Sequence, residues 1–308
     1  MLDELNIISD INSHAVGNPR AFADACEKRY NSAIGGLADI IPHHGENVVV
    51  MLAGPSSSGK TTTAGKLMSR LSENGISAYK ISLDDFYLEE KSAPVSSDGS
   101  PDFESVFALD LSLIRKTVDD ILSSGQSDLP LFDFKTRTRG INPRRLSLND
   151  GDVVIFEGLH ALNPVITDMF PPKRLFKLYV TVSTRIYDDT GSVVLSRRDI
   201  RLIRRAVRDS KHRNSSVENT FDIWSSVING EVKYLFPFED RADFKLNSFF
   251  PYEPCVIRDE AADILGTLSP DSVHFKKCLS LVENLKKFVP LSPSFMPDDS
   301  LLREFFCS

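Results

Sequence analysis

The chain has few cysteines, and none are spaced to do chemistry. Its four, Cys26, Cys255, Cys278 and Cys307, lie far apart with no pair at metal-ligand spacing. That argues against a zinc module or a disulfide framework and for a reducing compartment. Long hydrophobic runs are missing as well. The longest, such as Val48–Ala53, are of strand length, far below the roughly 18 residues that a membrane span needs. The first residues hold Asp3 and Glu4, no basic residue before Arg20 and no apolar stretch typical of a secretory signal, so a soluble, cytoplasmic protein is expected. Basic charge is not in excess either: 36 Lys and Arg stand against 43 Asp and Glu, a net charge of −7. Proteins that coat nucleic acid are usually basic overall, so neither nucleic acid nor membrane is an expected partner. Internal repeats and sustained heptads are absent too.

What remains is ordinary globular composition, 41% hydrophobic residues over 308 positions, enough for a sizeable core. Residues 1–46 read as an N-terminal helical extension, with a turn at Asn18-Pro19 and a helical pattern through Phe22, Ala25, Tyr30, Ile34, Leu37 and Ile41. Val48–Ala53 is continuously apolar, as a strand buried on both faces of a parallel sheet must be. Thr61–Glu73 and Leu109–Ser123 read as helices, and Ser77–Leu83, Asp152–Phe156 and Leu175–Val182 as strands. Glu89–Pro101 is a loop rich in Ser, Pro, Asp and Gly. Further on, the pattern predicts helices over Val193–Lys211 and Val217–Gly230, a strand at Ala242–Leu246, and a helix over Val273–Phe288. An extended tail marked by Pro290, Pro293 and Pro297 closes the chain. Strands alternating with helices predict an α/β fold, a three-layer parallel sheet with helices on both faces.

One string carries specific chemistry. Gly54-Pro55-Ser56-Ser57-Ser58-Gly59-Lys60-Thr61 fits G-x-x-x-x-G-K-[ST] and stands between a buried strand and a helix, where that motif works. The glycines let the loop curl until successive N–H groups point at phosphate oxygens, and the helix N-terminus adds its positive end. Gly54 to Thr62 are thus candidate ATP contacts. Lys60 would reach the outer phosphates, and the Thr61 hydroxyl would hold Mg²⁺. The expected fold is therefore that of the P-loop NTPases.

The acidic positions narrow the reaction. Asp84 and Asp85 follow a strand directly and so project from its C-terminal edge, where open α/β sheets bind ligands. A carboxylate there can take the proton of an attacking hydroxyl. Glu157 ends the run Val153-Val-Ile-Phe and is placed to hold Mg²⁺. His160, close by, has no assigned role. No Asn-Lys-x-Asp follows the later strands to read guanine, which speaks against a GTPase, and no helicase or motor motifs are present. Seven arginines, Arg197, Arg198, Arg201, Arg204, Arg205, Arg208 and Arg213, crowd one helical segment. That segment is expected to act as a lid, about residues 191–216, that covers ATP and brings guanidinium groups to the transferring phosphate.

Taken together, these segments resemble the uridine kinase/phosphoribulokinase family of P-loop kinases. The resemblance rests on Ala53–Thr62, Ser82-Leu-Asp-Asp-Phe-Tyr87, Asp102-Phe-Glu-Ser105, Leu131-Phe-Asp-Phe-Lys135, Ile155–Pro164 and Arg204–Asp209, in the family's order across residues 47–250. The tail Ser300-Leu-Leu-Arg-Glu-Phe305 is similar to the end of a bacterial uridine or nucleoside kinase branch.

The resemblance implies that Asp84 is the general base for a nucleoside 5′-hydroxyl and that Phe103 and Glu104 flank the nucleoside, the acid gripping ribose. It further implies that Phe132 meets the base and that Arg205 and Arg208 serve lid and substrate, Arg208 in a catalytic role. Asp85, Tyr87 and Arg213 are expected on the same acceptor side. Three positions depart from the pyrimidine nucleoside kinases: Arg137 stands for a base-reading His, Glu104 for an Asp, and Ser215 for a further lid Arg. The expected enzyme is an ATP- and Mg²⁺-dependent kinase of a nucleoside or another small hydroxylated substrate, with a second copy of the chain, in a homo-oligomer, as a candidate partner. An ATP-binding regulator without turnover is the contrasting expectation. Its kinase domain would span 47–265, with 266–308 as a C-terminal helix and tail packed on it.

Overall fold

The apolar run before the glycine-rich loop forms a strand, β1 (Val49–Ala53), buried at every position. The computed structural model describes residues 5–44, 48–95, 99, 101–133, 136, 138–140 and 142–306. Around β1 lie β2 (Ala78–Ser82), β3 (Val153–Glu157), β4 (Leu175–Thr181) and β5 (Phe244–Asn247), every pairing parallel, in the order β5-β4-β1-β3-β2. Side chains alternate across such a sheet. Val50, Leu52, Ile155 and Val180 therefore enter one core, and Val49, Met51, Phe156 and Tyr179 the other.

The first core is covered by α1 (Ile8–Gly17), α2 (Pro19–Ile40) and α3 (Lys60–Glu73); the second by α4 (Leu111–Ser124) and the short α5 (Pro164–Thr167). α6 (Arg197–His212), α7 (Val217–Tyr234), α8 (Glu253–Leu265) and α9 (Phe275–Leu285) join the first core, as does the closing turn α10 (Arg303–Phe306). The α2 start matches its signals: Pro19 opens the helix and the Asn18 side chain accepts the Ala21 N–H at 3.1 Å. No helix among the described residues is long and apolar enough to cross a membrane. Cys26, Cys255 and Cys278 are buried free thiols, and Cys307 lies outside the described residues.

Several elements differ from the sequence expectation. The helix predicted from Val193 begins only at Arg197, because Val193–Leu195 pairs antiparallel with Ile186–Tyr187. Ser196 then caps the helix. Its Oγ accepts the Asp199 N–H at 3.2 Å while the Asp199 carboxylate accepts the Ser196 N–H at 2.9 Å. A hairpin of Gln126–Leu129 with Arg144–Ser147 was not foreseen, since its exposed face is polar and its strands are short. α8 was not foreseen either. The tail is not extended: it turns at Pro293–Phe295 and ends in α10, burying Leu301, Leu302, Phe305 and Phe306.

Candidate active site

All five strands run in one direction, so everything that follows them collects at one edge of the sheet. Register sharpens this. Glu157 stands opposite Leu52 on one side and Ser82 on the other. The glycine-rich loop after β1, the turn after β2 and the Glu157 carboxylate thus meet around a cavity of about 240 Å³.

The loop needs glycine at both ends. A Cβ on Gly54 would lie 2.1 Å from the Val180 carbonyl oxygen, and Gly59 has φ +85°, in the left-handed region. Lys60 bends back so that Nζ donates to the Pro55 carbonyl at 3.2 Å. Thr61 Oγ1 lies 3.4 Å from Glu157 Oε1, while Glu157 Oε2 is buried with no hydrogen-bond partner. A buried carboxylate oxygen without a partner is costly. Beside a threonine hydroxyl at a phosphate loop, it is the donor set a divalent cation takes.

Across the cavity a single 3-10 turn, Leu83–Phe86, presents Asp84. The Ser82 hydroxyl accepts the Asp84 N–H at 3.3 Å and starts the turn. Asp84 touches water in the open cleft, yet protein crowds it closely enough to weaken its hydration. That burial, with Glu157 as a like charge and only partial relief from Lys60, pushes its carboxyl up to about 6. Asp85 is not among the residues lining the cavity. It accepts the Phe132 N–H at 3.3 Å, and burial raises its carboxyl too.

The expected acceptor residues gather on the Asp84 side. Tyr87 and Glu104 line the cavity. The Tyr87 hydroxyl donates to the Phe103 carbonyl at 3.0 Å, and its ring packs 6.2 Å from Phe103 and 5.9 Å from Phe132. Glu104 is pressed against Gly230, where an added Cβ would come within 2.6 Å of it, and burial pushes its carboxyl up to about 7. His160 is buried against the Tyr234 ring and pushed down to about 4 by that burial, so it is neutral at physiological pH. Arg137 lies outside the described residues.

The arginine-rich helix divides by face. Arg197 and Arg198 are exposed. Arg205, Arg208 and Arg213 line the cavity, and all three pair with the buried Asp209, at 3.2, 2.8 and 3.6 Å. Arg205 also donates to Ser56 Oγ at 2.7 Å. Arg201 and Arg204, by contrast, are buried inside the protein. Arg201 grips Glu231 with two bonds of 2.8 and 2.7 Å, and Glu231 also accepts the Ser56 N–H at 2.8 Å. Arg204 grips Glu253 with two bonds of 2.6 Å and donates to the Ser57 and Ser248 carbonyls. In this structure the segment expected as a lid is thus packed over the loop by buried ion pairs.

Glu231 and Glu304 line the cavity and the buried Asp209 pairs with its three arginines; sequence reasoning gave none of the three a role. Glu231 shares a helix face with the buried Val227, the one signal that this acid faces inward.

Comparison with known proteins identifies a family. Residues 49–250 match the model of the Phosphoribulokinase / Uridine kinase family. A uridine kinase of Ureaplasma urealyticum is 25% identical over 182 residues, 59% of this chain and 78% of that protein. A uridine kinase of Staphylococcus aureus is 28% identical over 181 residues, 58% of this chain and 77% of that one. A solved structure described as a possible uridine kinase from Bacillus stearothermophilus is 26% identical, covering 43% of this chain and 70% of its own with a TM-score of 0.37. The match spans the loop, the Asp84 turn, Glu157 and the arginine helix together, and on it the chain belongs to the phosphoribulokinase/uridine kinase family, as a small-molecule kinase.

Proposed function

We propose that the protein transfers the terminal phosphoryl group of ATP to a hydroxyl of a small molecule, the 5′-hydroxyl of a pyrimidine nucleoside such as uridine or cytidine. The observation that carries this is that Asp84 lines one small cavity with Lys60, Thr61 and Glu157; burial pushes its carboxyl up to about 6. A base with that pKa is ionised at neutral pH and still basic enough to take a hydroxyl proton as the oxygen attacks.

The glycine-rich loop would wrap the phosphates with its N–H groups, and Lys60 would leave the Pro55 carbonyl for a phosphate oxygen. Thr61 and Glu157 would hold Mg²⁺, whose charge, when bound, stabilises the negative charge on the transferring group. Arg205, Arg208 and Arg213 face the same space, and Asp209 keeps them aimed while offsetting part of their mutual repulsion. Tyr87, Phe103 and Phe132 form an aromatic wall suited to a flat base, and Glu104 is positioned for vicinal hydroxyls. Closure of 191–216 as a moving lid belongs to the same proposal. So does the division into an N-terminal extension, a kinase domain over 47–265 and a packed C-terminal segment. Nucleic acid has no place in it: five of the seven arginines are buried or turned into the cavity.

Arg137, in place of a base-reading His, favours a second reading with the same chemistry and a non-nucleoside sugar or other hydroxyl metabolite as acceptor. ADP release measured over a panel of nucleosides and sugars separates the two, and turnover on no nucleoside overturns the first. Asp84→Asn should keep ATP binding and lose about 10²–10⁴-fold in turnover. An unchanged rate in that variant would remove Asp84 as the base. Wild-type protein that binds ATP but turns over no acceptor would be a regulator rather than a kinase.

A further inference from the structure

The tail segment Ser300–Phe305 is built into the phosphate loop. Leu301 lies directly over Gly59, so that a Cβ added to that glycine would fall 2.5 Å from Leu301 Cδ1. The Phe305 ring sits under the Arg204 guanidinium, 5.0 Å from its centroid, and the same guanidinium donates to the Ser57 carbonyl at 3.4 Å. Ser300 is anchored from behind, its hydroxyl donating to the buried Glu27 at 2.5 Å. On this fixed segment Glu304 turns its carboxylate to the site. It accepts a hydrogen bond from the Thr62 hydroxyl and lines the same cavity as Lys60, Thr61 and Glu157.

Thr62 belongs to the first turn of α3, where free donors and the positive helix end suit a phosphate oxygen. Glu304 therefore stands where an anionic ligand would stand and holds a donor such a ligand would use. Its backbone is pinned by Leu301 and Phe305, but the carboxylate can rotate off by side-chain torsions alone. The outcome is competition rather than a block.

We propose that Glu304 is a residue of the nucleotide site that competes with the phosphates of the bound nucleotide for Thr62, so that the C-terminal segment sets nucleotide affinity. This rests on the reading that the cavity takes ATP. The competition applies to any nucleotide whose phosphates reach the first turn of α3, so ATP and ADP are affected alike.

The test is calorimetric titration of full-length protein with ATP and with ADP, in the presence of Mg²⁺, for wild type, Glu304→Gln and Glu304→Ala. Removing the like charge should tighten both nucleotides at least about fivefold. The ratio to wild type should shrink as salt is raised, because the repulsion is partly exposed to solvent. Thermal melts without nucleotide establish that both variants fold. Equal or weaker binding in the variants, or a gain indifferent to salt, overturns the proposal while leaving the kinase reading intact. If wild type and variants alike bind no ATP, the kinase reading fails and this inference with it.

Discussion

Below pH 6 the Asp84 carboxyl holds its proton, because burial and the neighbouring Glu157 charge both disfavour ionisation. A protonated carboxyl cannot accept a second proton from an attacking hydroxyl. The plot of kcat/KM against pH should therefore fall on its acid side with a pKa of about 6, tenfold per unit below that point. Glu104, pushed up to about 7, adds a second ionisation that Glu104→Gln should delete while the lower limb stays. A check independent of turnover follows from linkage. A carboxyl whose folded pKa lies above its ordinary value favours the folded state in its protonated form, and that advantage is lost as pH rises through about 6. Asp84→Asn should therefore raise the melting temperature at pH 7.5, and the gain should vanish near pH 4. A gain that persists at pH 4 would mean that the charge is not what strains the site.

Between elements, the arginine helix α6 is tied on two sides by ion pairs of unequal use. Arg201–Glu231 reaches the loop through the Ser56 N–H, and Arg204–Glu253 joins α6 to α8 where neither side chain touches water. Breaking one partner of such a buried pair leaves a charge with no solvent, which costs about 3–5 kcal/mol. Glu253→Gln should therefore lower unfolding free energy by that amount in urea titration, and a loss below about 1 kcal/mol would show that water reaches Arg204.

These pairs also mark what the sequence could not show. The loop, the Asp84 turn and Glu157 were legible because each is a short contiguous string whose spacing places it at a strand end. Glu231 and Glu304 were not, since their partners Ser56 and Thr62 lie 175 and 242 positions away. Arg201 and Arg204 read as two members of a charged face, and only the buried acids opposite reveal them as interior. The Val193 helix start was misplaced although Ser196 and Asp199 already spelled a capping box. The apolar valines before it fit a strand as well as a helix.

Across the whole molecule, the two terminal segments meet under the phosphate loop. Tyr30 from α2 shares a 2.6 Å hydrogen bond with Thr63 of α3, and Glu27 from α2 accepts from both Tyr252 and Ser300. One buried carboxylate thus joins α2, the tail and the residue that caps α8, and Lys66 of α3 binds Asp299 at 2.6 Å beside it. Burial raises the Glu27 carboxyl, and its two hydroxyl donors offset only part of that cost. If the termini form one cooperative unit with the sheet, Glu27 and Ser300 must be coupled although 273 positions separate them. A double-mutant cycle of Glu27→Gln and Ser300→Ala, followed by urea unfolding, should give an interaction free energy of about 0.5–3 kcal/mol with one transition throughout. Additive effects would mean that the tail packs on the sheet without help from the N-terminal helices. A second transition would mean that the terminal layer unfolds apart from the layer that carries Asp84.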